Sequence, residues 1–245
     1  MNLSVQLTGS EGICDLQNGF SIIQRRDAFR FGTDAVLLAD FVKLKKHCRV
    51  VDLGAGTGII GLLLCAHNPE VTVSAVEIQP EMAQLTQKNI ELNQIEARMQ
   101  AYEMDMRRAP EKLGNCVYDC AVCNPPYYAE GRGRQPENPN KLISRTEAEI
   151  DIFEICAVAV RLLKTGGRLA VVYPAARLNE MIGAMEKATL APKRIRTIHS
   201  KASRAPKLVL LDAVKQGGRG MEWLPPLILY NEDGSTSEEW RRIYG

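Results

Sequence analysis

The tetrapeptide Asn124-Pro125-Pro126-Tyr127 combines residue types suited to one kind of chemistry. The side-chain oxygen of Asn124 and the backbone carbonyl of Pro125 are two acceptors that can take both N–H groups of a planar exocyclic amine, leaving its lone pair free to point at an electrophile. The prolines hold that carbonyl fixed, and Tyr127 offers a ring face on which a flipped-out planar group can stack. Direct in-line displacement on a sulfonium methyl would follow from positioning alone, with the proton lost afterwards. Such chemistry calls for no metal, no His base and no covalent nucleophile. The three histidines, His47, His67 and His199, lie outside the motif and read as structural or surface residues. Taken alone, the tetrapeptide also reads as a proline-rich turn after a strand.

A second motif supplies the electrophile's site. In Asp52-Leu53-Gly54-Ala55-Gly56-Thr57-Gly58 a strand passes into a helix, and the glycines of such a turn let a ligand approach the backbone. Gly56, Gly58 and Gly61 also match the G-x-G-x-x-G spacing of dinucleotide enzymes. Two details favour S-adenosylmethionine over a nicotinamide. Asp52 suits a cationic amino-acid moiety and is awkward beside a pyrophosphate, and the tight turn begins at Gly54, out of register with that spacing. Glu77, at the end of the next strand, is placed to accept from both ribose hydroxyls, and Asp105, ending a third, to take the adenine amino group with the backbone N–H of Met106 on the ring. Any one of these acids could be a solvated surface carboxylate. Their succession at strand ends, where open α/β sheets bind ligands, points to a cofactor site.

The elements that must position these groups alternate between strand and helix periods. Strands are expected at 49–53, 71–77, 98–104, 117–123 and 169–173, with helices at 57–66, 80–93, 150–163 and 177–188. The pair Gly166-Gly167 is expected to stop the helix before the fifth of these strands, and Arg194–His199 with Leu208–Val214 to close the sheet as an antiparallel hairpin. The fold class is α/β, with a mostly parallel central sheet and helices on both faces. Ahead of it, residues 1–45 read as an extension with a strand at 20–24 and a helix at 33–41 capped by Thr33, packing on a main domain of 46–245. Residues 129–140, with two glycines and two prolines among charges, read as a loop directly behind the Asn124 motif.

Composition excludes several classes. In 245 residues, 45% are hydrophobic and 24% charged, with 31 Lys+Arg against 29 Asp+Glu, which is an ordinary globular balance. No apolar run reaches the length of about 20 residues that a membrane span needs, and residues 1–12 do not read as a secretory signal, so a cytoplasmic address is expected. The seven cysteines are scattered. Cys116, Cys120 and Cys123 do not suggest a zinc site, because residues three apart on a strand face opposite ways.

With these motifs in order, the chain resembles the class I S-adenosylmethionine-dependent methyltransferases that carry an Asn-Pro-Pro-Tyr motif, over most of residues 30–175. The resemblance implies a Rossmann-like fold. More narrowly it is similar to the tRNA(Val) adenine-N6 methyltransferases that act beside the anticodon, through Arg26-Asp27, Phe31 to Leu38, Asn124 to Tyr128, and Ser144-Arg145-Thr146-Glu147. That resemblance implies that Thr33 and Asp34 line the cofactor pocket.

Three acceptors share the motif: adenine in nucleic acid, guanine in ribosomal RNA, and the glutamine amide of a release factor. Only about 48 residues precede the first parallel strand, too few for the helical recognition domain of the glutamine enzymes, which argues for nucleic acid. Charge distribution agrees. Between Lys193 and Arg219 stand eight cations, among them Arg194, Arg196, Lys201 and Arg204, against the single acid Asp212. Arg25, Arg26 and Arg30 form a second basic group, and Arg132, Arg134, Lys141 and Arg145 could bring the loop onto RNA. The expected partner is tRNA. A catalytically idle RNA-binding protein would not need Asn124 to Tyr127, and nothing downstream resembles a hydride-transfer site. Oligomeric state is not readable from the sequence.

Overall fold

Short apolar runs bounded by charge, glycine or proline become the central strands here because helices cover both of their faces. The structure, a computed structural model, describes residues 9, 11–25, 32–125 and 150–244. The chain begins with an antiparallel hairpin, β1 (Glu11–Asp15) and β2 (Ser21–Arg25), followed by α1 (Thr33–Phe41). Then come β3 (Arg49–Leu53), α2 (Ile59–His67), β4 (Thr72–Glu77), α3 (Pro80–Leu92), β5 (Met99–Glu103), α4 (Ala109–Leu113) and β6 (Tyr118–Cys123). The rest is α5 (Ile152–Leu162), β7 (Leu163–Pro174), α6 (Leu178–Lys187), β8 (Leu190–His199), β9 (Leu208–Lys215), β10 (Glu222–Trp223), β11 (Leu227–Ile228) and α7 (Glu238–Tyr244). Among the described residues, no helix is long and apolar enough to cross a membrane.

Nine strands form one sheet in the order β10-β8-β9-β7-β6-β3-β4-β5, with β11 also on β8. Strands β3 to β7 are mutually parallel, and β9 lies antiparallel between β7 and β8. This is the expected doubly wound sheet with its closing hairpin. Side chains of α1, α2, α3 and α7 build the core on one face, and those of α4, α5 and α6 the core on the other. Cys120 belongs to the first core and Cys123 to the second, as strand alternation requires.

Local physics moved three boundaries. Gly32, not Thr33, caps α1, and the Thr33 hydroxyl sits 3.2 Å from Asp34 inside the first turn. The α5 helix starts from a capping box of Asp151 and Glu154 and stops at Leu162, ahead of Gly166-Gly167. Its last carbonyls are taken by Cys116 N–H, which donates to Arg161 O at 2.9 Å, and Val117 N–H to Leu162 O at 2.9 Å, so no glycine is needed to end it. The two glycines instead lie within β7, beside a register irregularity opposite Tyr118–Cys120. The sheet's outer edge is covered by β10 and β11, two-residue strands too short to leave a period in the sequence.

Polar side chains of α3 tie the N-terminal hairpin to the rest. Asn89 on α3 is 0% exposed. Its Oδ1 accepts from Ile23 N–H at 2.6 Å, and its Nδ2 donates to Thr57 O at 2.9 Å. Four residues on, Asn93 repeats the pairing with Ser21, accepting from its N–H at 2.8 Å and donating to its carbonyl at 2.7 Å. Replacing Asn89 by Ala leaves a buried N–H and a carbonyl without partners, and should lower unfolding free energy by about 2–4 kcal/mol. Urea denaturation measures this, and a loss under about 0.5 kcal/mol would contradict the tie.

Candidate cofactor and acceptor site

The loop after β3 is shaped by backbone bonds to its neighbours. Gly54 and Ala55 N–H groups both donate to Val76 O, at 2.9 and 3.0 Å, which pins the turn against β4. From α3, the Thr86 hydroxyl donates to Gly56 O at 2.7 Å, while Asn89 holds Thr57 O. Gly58 opens α2 at φ +80°, and a Cβ there would stand 2.8 Å from the Thr86 methyl. Gly61, inside α2, packs closely on the sheet: a Cβ there would stand 2.6 Å from Met99 Cε and 3.1 Å from a Val73 methyl, so a side chain would require the Met99 tip to move. Thr86 and Asn89 are loop-holding residues that sequence reasoning missed. The signal was present as polar residues interleaved with Leu85 and Ile90 on a helix already known to be half apolar.

Three acids stand at the C-terminal ends of adjacent strands, each in a different electrostatic state. Asp52 is 0% exposed, and neither carboxylate oxygen has a hydrogen-bond partner among the described residues. Burial pushes its carboxyl up to about 7, opposed by the dipole of the Gly61 N–H, which does not reach hydrogen-bond geometry, and reinforced by the charge of Glu77. Glu77 is held rigidly: Oε2 accepts from Gly56 N–H at 2.9 Å and Oε1 from Gln79 N–H at 2.8 Å. Each oxygen keeps a further lone pair for a hydroxyl. Asp105 does not stand free as the sequence suggested. Arg107 saturates it, with Nε at 2.8 and 3.0 Å, a second guanidinium nitrogen at 2.6 Å and its own backbone N–H at 2.9 Å. Against the desolvation of partial burial, these bonds hold the Asp105 carboxyl below the usual range.

Between Glu77 and Asp105 lies a cleft whose walls are Gly54, Val76, Ile78, Met104, Met106 and Ile150. Apolar walls around two acids suit a base and its ribose. The orphaned carboxylate of Asp52 suits a cation, and the glycine loop leaves backbone room above it. These donors and walls fit S-adenosylmethionine. On the next strand, Asp52 pairs in register with Val122, so Asn124 stands two residues further along, about 7 Å up and 5 Å across. Asn124 and the buried Pro125 thus follow β6 directly, at the same end of the sheet. Pro126 and Tyr127 lie outside the described residues, as do Arg26, Arg132, Arg134 and Arg145. Thr33 and Asp34 form the first turn of α1, and neither lines the cleft.

The expected basic stripe does not survive as one surface. Arg194 is 9% exposed, stacks 4.4 Å over the Phe41 ring and donates to Phe41 O at 3.3 Å and to Asp212 at 3.4 Å. It is an internal strut with no face for phosphate. Arg196 likewise donates to Pro225 O at 2.9 Å and pairs with Glu239 of α7 at 2.7 Å. Both side chains lie on strand interiors, where alternation turned them onto neighbouring elements. Lys201 donates to Glu232 O at 2.8 Å, and its loop between β8 and β9 also carries Arg204 and Lys207, both exposed. That loop leaves the C-terminal end of β8, which is the Asn124 end of the sheet. Lys193 and Lys215 sit at the opposite end, on Gly218–Gly220 carbonyls and Leu163 O respectively. The side chain of Arg25, which ends β2, lies outside the description.

A doubly wound sheet with a glycine loop after its first parallel strand, acids closing the next two and Asn-Pro after the fourth defines an S-adenosylmethionine-dependent methyltransferase. The comparisons with known proteins agree. The profile of the family "Methyltransferase small domain" matches residues 24–191. A protein of Tolumonas auensis named tRNA1(Val) (adenine(37)-N6)-methyltransferase is 30% identical over 195 residues, covering 78% of this chain and 79% of its own. A protein of the same name from Aeromonas hydrophila is 26% identical over 227 residues, covering 91% and 92%. Among solved structures, one from Agrobacterium tumefaciens, titled a predicted O-methyltransferase, superposes with a TM-score of 0.71 at 23% identity, over 86% of this chain and 95% of the other, a likeness of fold. The chain belongs to the methyltransferase small domain family, and within it to the group that holds these two relatives. It is an N-methyltransferase, and its cofactor is S-adenosylmethionine.

Asp52 also makes the site costly when no cation is bound. Its carboxyl is raised in the folded protein, so the stability it contributes is present below the unfolded value near 4 and is lost as pH rises through about 7. Replacing Asp52 by Asn should therefore stabilise the cofactor-free protein at pH 8, by about 2–4 kcal/mol at most, and change little at pH 4. Denaturation at both pH values is the check, and equal effects at both would contradict a buried unpaired carboxyl.

Proposed function

We propose that this protein methylates the exocyclic amino group of an adenine in tRNA, and that the adenine is the one beside the anticodon of a valine tRNA. The observation that carries the reading is the placement of Asn124-Pro125 directly after β6, one strand away from the glycine loop and Asp52. When bound, S-adenosylmethionine supplies an electrophilic methyl on a sulfonium. Asp52 would neutralise its cationic end, Glu77 would hold the ribose hydroxyls, and the backbone of Met106 would read the adenine edge. Asp105 would reach the adenine amino group only in exchange for a bond to Arg107. Asn124 and Pro125 accept the two N–H groups of the target amine and so orient its lone pair, while Tyr127 stacks on the target ring. The names of the relatives support adenine in tRNA over guanine or a protein amide. A tRNA substrate in turn implies action in the cytoplasm.

The RNA-facing residues are Lys201, Arg204 and Lys207 on the β8–β9 loop. Three strand spacings, about 14 Å, separate β8 from β6, so phosphates flanking the target nucleotide come within reach.

Two experiments test the proposal. With methyl-labelled cofactor, label is expected in tRNA and not in a release factor; the reverse would overturn the reading. In the same assay Asn124→Ala should lower kcat about 10²–10³-fold, with cofactor affinity by calorimetry changed less than about threefold. Equal losses of both would remove Asn124 from its assigned role. Charge reversal of Arg204 and Lys207 together should raise KM for tRNA and flatten the plot of log affinity against log salt by about 2, leaving cofactor affinity unchanged. An unaltered salt slope would take the β8–β9 loop out of the interface.

A further inference from the structure

At the end of the sheet opposite Asn124 lies a second basic feature, outside the site described above. The N-terminal ends of β3, β6 and β7, with the linker that follows α1, enclose a cleft of about 350 Å³. Its walls carry five cations, Lys43, Lys45, Lys46, Lys164 and Arg168, against one carboxylate, Asp119. Three of the five are already paired: Lys164 with Asp119 at 2.6 Å, Arg168 with Asp212 at 2.5 Å, and Lys46 with Glu70 at 3.3 Å. Lys43 and Lys45 are exposed, with no partner among the described residues. The paired cations keep their side chains between 40 and 79% exposed, so they add to the field at the cleft mouth.

We propose that this cleft is a second RNA surface, which holds phosphates of the tRNA body away from the nucleotide being methylated. The inference rests on the tRNA reading above and names where else that substrate touches the protein. Flexible ammonium groups around a polar cleft match phosphate oxygens, whereas a protein partner would need aromatic or aliphatic anchors, of which these walls offer only the half-buried Leu44. Distance sets what can reach it. Asp119 and Asn124 are five residues apart on or just past β6, about 17 Å through the body of the sheet. A path over the surface is longer still. A hairpin of a few nucleotides around the target base cannot span it, and a folded tRNA can.

The test compares an intact valine tRNA transcript with a short hairpin carrying only its anticodon loop. Fluorescence anisotropy at several salt concentrations, without catalysis, reads affinity for each. The double variant Lys43→Glu/Lys45→Glu is expected to bind the intact tRNA at least tenfold more weakly, with a salt slope reduced by about 2, and to bind the hairpin as the unaltered protein does. Lys43→Arg/Lys45→Arg should restore tRNA binding, and S-adenosylhomocysteine affinity should be the same in all three proteins, which shows that they are folded. Intact-tRNA affinity within twofold of the unaltered protein would overturn the proposal, as would an equal loss on tRNA and hairpin. If the unaltered protein methylates no RNA at all, it is the functional reading that fails; if it methylates tRNA and the variant binds normally, only the second surface does.

Discussion

A carboxylate that no described residue neutralises, buried at the end of β3, is the constraint around which this site is built. Asp52 is fully enclosed, both oxygens lack partners among the described residues, and the charge of Glu77 adds to the cost of ionising it. An arrangement of that kind persists only where the surrounding structure over-determines it. Here the surroundings do: Val76 fixes the start of the glycine loop, Thr86 and Asn89 fix its middle, and Gly58 and Gly61 let α2 press against α3 and the sheet. A cation with hydrogen-bond donors relieves the strain. The same rigidity that makes the free protein less stable prepares it for its cofactor.

The parallel sheet turns that local device into a reaction site. Four neighbouring strands, β5, β4, β3 and β6, end side by side and present Asp105, Glu77, Asp52 and Asn124 in that order. Reading across the edge, the groups suited to a base, a ribose, a cationic chain and an acceptor amine follow one another at strand spacing. In the proposed reading, position along the cofactor is set by the order of strands, and the residue types need only suit what lies above them.

Much of this could be read from the sequence because turn chemistry and strand period are local. Asp52 to Gly58, Glu77, Asp105 and Asn124-Pro125 fell at strand ends as expected, and the β8–β9 hairpin closed the sheet. What failed was long-range. Arg194 and Arg196 looked like phosphate ligands because their sequence neighbourhood is basic, yet Phe41 and Glu239, 153 and 43 residues away, claim them. The glycines at 166 and 167 looked like a helix stop, when α5 had already passed its carbonyls to residues 116 and 117. In each case the deciding partner lay on another element or in a side-chain rotamer, neither of which a period reveals.

The central claim is that Asn124 and Pro125 present an adenine amine of tRNA to a methyl donor held over Asp52 and Glu77. The most direct measurement is mass spectrometry of nuclease fragments from an unmodified valine tRNA transcript incubated with the protein and S-adenosylmethionine. The account predicts one added methyl, on N6 of the adenine beside the anticodon. A methyl on guanine, or a transcript left unmodified while a release-factor glutamine gains the methyl, would contradict it.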